Sequence, residues 1–193
     1  MNGRALSHRI GINIVNMGTD SIKLFNKTLA DQILAMERQS LTRFLEENIG
    51  VLKQKDFTLS SVLYEMEQSG GSVSDAVERL ISGEYTLTGL KIEAIQDFAF
   101  GDEEIYLDYW GCYAEVFDGR PEGSISSVEY LPDQEEKTFL LLRLDHVDQM
   151  IRSLYNHIND LSVMDEEKIK KIEKWRSFCA ANPDYIVAYM FDF

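Results

Sequence analysis

The residue types that mark secreted scaffolds and membrane proteins are scarce in this chain. It has two cysteines, Cys112 and Cys179, which are far apart and form no CxxC pair. Their number and spacing favour a reducing compartment over a disulfide scaffold. No stretch approaches the roughly 20 apolar residues of a membrane helix, and Arg9 and Asn13 interrupt the N-terminal segment that a signal peptide would need. We therefore expect a cytoplasmic protein.

Basic residues are also few. The 193 residues include 19 lysines and arginines against 33 acidic residues, which gives a formal net charge of −14 and a pI near 4.6. Nucleic acids and anionic membranes carry charge of the same sign, so direct binding to either is not expected. With three prolines and no long glycine- or serine-rich tract, the chain shows no linker, and we expect one domain over residues 1–193.

Familiar catalytic motifs are missing. The SGGS segment at 69–72 lacks the lysine and the preceding strand of a phosphate-binding loop, and no GxSxG elbow or HExxH helix occurs. His146 and His157 are eleven residues apart on one predicted helix, about 16 Å along its axis, so they cannot share a metal ion. We expect both histidines at the surface or its edge, both cysteines in the core, and no cofactor.

Helical periodicity dominates the N-terminal part, residues 19–83. Apolar residues recur there at three- and four-residue spacing, which predicts amphipathic helices. The predicted helices span 21–48, as one or two helices capped by Thr19 or Asp20 and stopped by Gly50, then 57–68, and finally 75–81, capped by Ser72 or Ser74.

The period changes to that of β-strands in the middle part, residues 84–145. Strands are predicted at 86–100, 103–110, 112–117, 126–131 and 138–144, as an antiparallel meander whose last strand is buried on both faces. Helices return in residues 146–193, at 146–159 and at 166–180 with Asp165 as cap, before a final strand at 185–191. The order of helices, sheet, helices and last strand predicts an α+β fold.

Negative charge is concentrated in the stretch from Glu84 to Glu136. It holds fourteen acidic and two basic residues, so a net −12 of the total −14 lies in about a quarter of the chain. The alternation of a strand places Ile105 and Leu107 on one face and Glu104 and Tyr106 on the other. By the same parity the second face carries these further aromatic and acidic residues: Asp108, Trp110, Tyr113, Glu115 and Phe117. These rings either cover a second core layer that the helices pack on, or form an exposed surface together with the carboxylates.

This mixture predicts a surface that binds a basic protein. Exposed tyrosine and tryptophan are common interface anchors, and charge of one sign speeds capture of an oppositely charged partner. The hypothesis is an acidic protein-binding inhibitor, similar in surface chemistry to immunity proteins and nucleic-acid mimics, that occludes a nuclease, toxin or nucleic-acid-binding enzyme. The predicted partner-binding residues are Glu104, Tyr106, Asp108, Trp110, Tyr113, Glu115 and Asp118.

Two other classes remain open. Glu104, Asp108 and Glu115 are predicted to lie close together, and carboxylate oxygens of this kind hold Mg²⁺ or Ca²⁺. The first alternative is therefore a metal-dependent hydrolase that uses this acidic cluster. The second is a subunit of an oligomer whose aromatic face meets its own copy, although the high negative charge opposes such contact. A solvated sheet face without a ligand is the plainest interpretation of the same residues.

Overall fold

The computed structural model describes residues 20–53, 61–83, 86–107, 117, 120–126, 139–160 and 164–191. Within these ranges lie seven α-helices and five strands of one antiparallel sheet, so the predicted α+β class is confirmed. The elements are β1 (Ser21–Asn26), α1 (Lys27–Ala35), α2 (Arg38–Leu52), α3 (Ser61–Ser69), α4 (Val73–Ser82), α5 (Leu87–Phe98), β2 (Phe100–Tyr106), β3 (Ile125–Ser126), β4 (Phe139–Leu142), α6 (Leu144–His157), α7 (Glu166–Ala181) and β5 (Tyr185–Met190). No helix within the described ranges is long and apolar enough to cross a bilayer.

The order of the strands in the sheet is β2-β1-β5-β4-β3 and does not follow the chain. The first strand, β1, pairs with β2 on one side and with the C-terminal strand β5 on the other. Ile22 of β1, for example, lies opposite Ile105 of β2 and Tyr189 of β5. Three strands therefore separate β2 from β3, although β3 is the next of these strands along the chain.

Both faces of the sheet carry a hydrophobic core. Helices α1 to α5 pack on one face, where Phe25, Leu141 and Ala188 are fully buried. Helices α6 and α7 pack on the other face, over side chains that include Ile22 and Val187. All four residues of β4 are buried, which confirms the prediction that this strand is covered on both faces.

The first predicted helix is wrong at its start. Ser21–Asn26 forms strand β1, and Asn26, not Thr19 or Asp20, caps α1 by accepting a hydrogen bond from the Leu29 N–H at 3.0 Å. Ile22 packs in the core under α6 and α7 while Phe25 packs in the core under α1 to α5. Because both faces of β1 are covered, apolar residues occur on both of them. The three-residue spacing of Ile22 and Phe25 that results is also the spacing expected of a helix. Gly50 also does not stop the next helix, since α2 continues to Leu52.

The predicted strand at 86–100 is also wrong, since helix α5 occupies most of it. The Thr86 hydroxyl caps this helix by accepting a hydrogen bond from the Gly89 N–H at 3.0 Å. Leu90, Ala94 and Ile95 are buried at helical spacing. Leu90, Ile92 and Ala94 alternate along the sequence as in a strand, but all three belong to this helix. Leu90 and Ala94 are buried in one core, and Ile92 is partly buried against the same core.

The C-terminal elements agree with their predictions. Helices α6 and α7 and strand β5 lie within one or two residues of the predicted bounds. Asp165 caps α7 as expected, with its carboxylate accepting a hydrogen bond from the Lys168 N–H at 2.8 Å. Of the predicted strands at 112–117 and 126–131, only residues 117 and 126 belong to the described ranges.

Candidate functional site

The candidate site begins with what we call the acidic strand: Asp102, Glu103, Glu104 and Tyr106 of β2. The predicted alternation along this strand is confirmed. Ile105 and the following Leu107 are buried, whereas half of the Tyr106 side chain is exposed. Tyrosine at this level of exposure within a row of carboxylates is available to a partner.

Glu104 and Tyr106 point to the side of the sheet that α1 to α5 cover. The register of the strands shows this. Glu104 lies opposite Lys23, and Lys23 lies opposite Ala188, which belongs to the core under α1 to α5. Cross-strand neighbours of this kind share a face of the sheet. The helices leave this end of the face partly open, since about a quarter of each of the Lys23 and Glu104 side chains remains accessible.

The carboxylate of Glu104 is held by three neighbours. Lys23 Nζ lies 3.2 Å from Oε2, the Ser21 hydroxyl donates a hydrogen bond to Oε1, and the Tyr106 hydroxyl lies 3.4 Å from Oε2. These contacts fix the orientation of Glu104 and offset its charge. Glu104 is therefore a positioned member of the surface, not a bare carboxylate.

Glu103 points to the opposite side of β2, towards α7. Lys171 Nζ of α7 lies 2.5 Å from Glu103 Oε1, and 60% of the Glu103 side chain stays exposed. The same ammonium group lies 6.0 Å from the centre of the Trp175 ring, at the outer range of a cation–π contact. The acidic strand thus presents carboxylates on both sides of the sheet, and two of them, Glu103 and Glu104, are ion-paired with lysines of the chain.

The other five predicted partner-binding residues lie outside the described residues: Asp108, Trp110, Tyr113, Glu115 and Asp118. Phe117, which the parity placed on the same face as Tyr106, is buried in the core under α6 and α7, with its ring centre 6.0 Å from that of Tyr189. Of the two positions that the sequence left open for these rings, Phe117 takes the one packed under the helices.

Not all of the concentrated negative charge is on the surface. Helix α5 turns Asp97 into the interior, where it is 2% exposed, and draws Glu93 into a partly buried position. Glu93 accepts a hydrogen bond from the Ser61 N–H at the start of α3. Burial raises the pKa of Glu93, and the nearby Asp97 adds to this. A charge count along the sequence overstates the charge that a partner would meet, because it includes these two.

The raised pKa of Glu93 predicts a specific dependence of stability on pH. A carboxyl whose pKa is higher in the folded state contributes stability below its ordinary value of 4.5, and that contribution is lost as the pH rises through the folded-state pKa. Glu93→Gln retains an oxygen for the Ser61 N–H and cannot ionise. We therefore expect the unfolding free energy of Glu93→Gln to increase relative to that of the wild type as the pH rises from about 4 to about 7.

Urea denaturation at a series of pH values measures this difference. The matched control is Glu67→Gln, the same change at an exposed position of α3. A Glu93→Gln curve parallel to the wild-type curve at every pH would show that burial does not perturb this carboxyl.

His146 holds a loop within the stretch from Glu84 to Glu136, and its predicted position at the surface or edge is wrong because the ring is buried. The ring is 4% exposed, and Nδ1 accepts a hydrogen bond from the Arg143 N–H at 3.3 Å. Because that bond requires an unprotonated Nδ1, Nε2 carries the proton and donates it to the Glu122 carbonyl at 2.9 Å. Gly123 next to this contact has φ of +77°, and a Cβ there would meet the Arg143 guanidinium.

The residues that the structure describes offer no support for a metal site or for a cysteine nucleophile. Within the described ranges no three His, Cys, Asp or Glu side chains gather in a way that would hold a metal ion. The hydrolase hypothesis needs Asp108 and Glu115 beside Glu104, and those two lie outside these ranges. Cys179 is buried as predicted, and burial raises the pKa of its thiol to about 11, so it is not an activated nucleophile.

A groove beside the acidic strand was not predicted from the sequence. It has a volume of about 780 Å³ and is lined by Leu24, Glu103, Asp165, Glu167, Lys168, Lys171, Lys174, Trp175 and Phe178. The sequence does contain a signal, because residues 168, 171, 174, 175 and 178 share one side of a helix by their three- and four-residue spacing. What the sequence could not indicate is that this side of α7 meets β1 and β2.

The acidic strand and the groove together offer carboxylates, an exposed tyrosine and aromatic rings. These groups bind cationic side chains through ion pairs and ring contacts. Neither the models of protein families, nor the curated proteins, nor the solved structures include a match to this chain.

Proposed function

We propose that this protein is an acidic, cytoplasmic binding protein that docks on a basic protein and blocks it. The partner class is a nuclease, a toxin or another enzyme with a cationic cleft for nucleic acid, so the protein would act as immunity proteins or nucleic-acid mimics do. The observation that supports this most directly is the half-exposed Tyr106 beside the carboxylates of Asp102, Glu103 and Glu104, within a stretch of net charge −12.

The mechanism has an electrostatic and a steric part. Negative charge concentrated in one stretch accelerates encounter with a cationic surface, and salt weakens this effect because exposed charges are screened within about 8 Å at physiological ionic strength. Tyr106 then supplies contact area that becomes buried in the complex. The carboxylates take the place of phosphate groups in the partner's cleft, and the body of the sheet excludes the true substrate.

The predicted residues Asp108, Trp110, Tyr113, Glu115 and Asp118 belong to the same proposal. They follow the acidic strand directly in the sequence and would extend its charge and its aromatic contact area. Glu104 contributes through its fixed orientation, because Ser21 and Lys23 hold it in place. Asp102 and Glu103, which are exposed, are the described carboxylates that a partner would reach first.

Charge reversal at Glu103 tests the proposal. A partner is first captured from cell extract on the immobilised protein, and its association rate with Glu103→Lys is then measured by stopped-flow fluorescence at low and high salt. We expect association about tenfold slower than with the wild type at low salt, and a smaller difference at high salt.

The matched control is Glu47→Lys, which makes the same change in net charge at an exposed position of α2. It should leave the association rate nearly unchanged, because α2 does not carry the proposed surface. If both substitutions slow association equally, net charge alone controls capture and the acidic strand is not the docking surface.

A further inference from the structure

The groove between α7 and the β1–β2 pair already holds one cation. The ammonium group of Lys171 lies in it, 2.5 Å from Glu103 Oε1 and 6.0 Å from the centre of the Trp175 ring. Leu24 and Phe178 add apolar surface, and Phe178 is 40% exposed. A carboxylate, an aromatic ring and apolar surface together form the type of site that takes a long basic side chain.

We propose that this groove binds one arginine side chain of the basic partner, in the place that Lys171 occupies in the free protein. The inference rests on the proposed function and adds to it a defined pocket and a defined group. Lys171 occupies the site in the free protein and is displaced when the arginine enters. Its side chain is about one third exposed and can move into solvent.

The charges that line the groove favour a single added cation. Its lining has three acidic side chains, Glu103, Asp165 and Glu167, and three lysines, so the formal charges balance while Lys171 is inside. When Lys171 leaves, the lining carries one net negative charge, which one incoming cation offsets.

Arginine fits this groove better than lysine. Its planar guanidinium can bind both oxygens of Glu103 and lie beside the 7% of Trp175 that remains exposed, whereas an ammonium group acts as a point charge. The three-carbon stem of arginine can pack on Leu24 and Phe178. Lysine from the partner would only repeat the contacts that Lys171 already makes.

The experiment uses the full chain and a short oligo-arginine peptide as the probe at low ionic strength. Binding is followed by calorimetry and by the indole N–H signal of Trp175 in NMR spectra, assigned with Trp175→Phe. The key variants are Lys171→Ala and Lys174→Ala, which each remove one positive charge from the same groove. Only the first vacates the position between Glu103 and Trp175.

We expect Lys171→Ala to bind the peptide about fivefold more tightly than the wild type, as the loss of one competing surface ion pair predicts. Lys174→Ala should change the affinity by less than about twofold, and the Trp175 signal should shift on titration. An equal gain in both variants, an unmoved Trp175 signal, or equal binding of oligo-lysine would overturn the arginine pocket while leaving the proposed function standing. No binding of oligo-arginine to the wild type would count against the proposed function itself.

Discussion

Replacing Phe25 by alanine is expected to lower the free energy of unfolding by about 3–5 kcal/mol, the usual cost of removing a buried aromatic side chain. Phe25 is fully buried, and its ring centre lies 4.8 Å from that of Phe100 and 5.8 Å from that of Phe139. This cluster connects β1, β2 and β4 beneath α1 to α5. Guanidinium denaturation followed by circular dichroism measures the loss.

Phe178→Ala is the matched control for this prediction. It makes the same change in a ring that is 40% exposed and contacts Tyr185 at 5.0 Å between ring centres. Because the hydrophobic contribution scales with the apolar area removed from water, Phe178→Ala should cost clearly less. Equal losses at the two positions would contradict the burial of Phe25 between the sheet and helices α1 to α5.

Removing the hydroxyl of Tyr189 is expected to cost about 1–3 kcal/mol, the penalty for taking a hydrogen bond from a buried polar group. The hydroxyl donates to the Asp20 carboxylate at 3.0 Å, and both residues are fully buried. Tyr189→Phe keeps the ring in place and removes the bond to Asp20. Denaturation in urea reports the change.

The effect of Tyr189→Phe should extend to the acidic strand. Asp20 also accepts a hydrogen bond from the Leu107 N–H through its backbone carbonyl at 2.8 Å, so the same residue positions the end of β2 next to Tyr106.

Tyr155→Phe is the matched control for Tyr189→Phe, because the Tyr155 hydroxyl is exposed and lies 3.4 Å from Glu173. A loss of similar size in both variants would contradict a special role for the buried pair.

Part of the fold follows from local pattern alone. Helices α6 and α7 were predictable because their apolar stripes are regular and Asp165 marks the start of the second one. The alternation of Ile105 and Leu107 with Glu104 and Tyr106 was equally clear, because one side of β2 is buried and the other is partly open. In these segments the local period and the final environment agree.

Other segments have patterns that fit two structures. Ile22 and Phe25 are three residues apart, which matches a helix, but in β1 they enter two different cores across an irregular register between Lys23 and Phe25. Leu90, Ile92 and Ala94 alternate as in a strand, yet α5 buries Leu90 and Ala94 on a helical face. Short apolar runs cannot separate these cases, because burial on both sides removes the polar residues that reveal the period.

The sequence by itself determined the α+β class, the helical first and last parts, and the concentration of carboxylates between Glu84 and Glu136. Only the tertiary structure decided that Glu93 and Asp97 turn inwards, that Glu103 and Glu104 are paired with Lys171 and Lys23, and that a groove forms beside them. The physical reason is that periodicity and composition act over a few neighbouring residues. Burial and ion pairing depend instead on which distant segments the sheet order brings together, and here that order sets the first strand between β2 and the last strand.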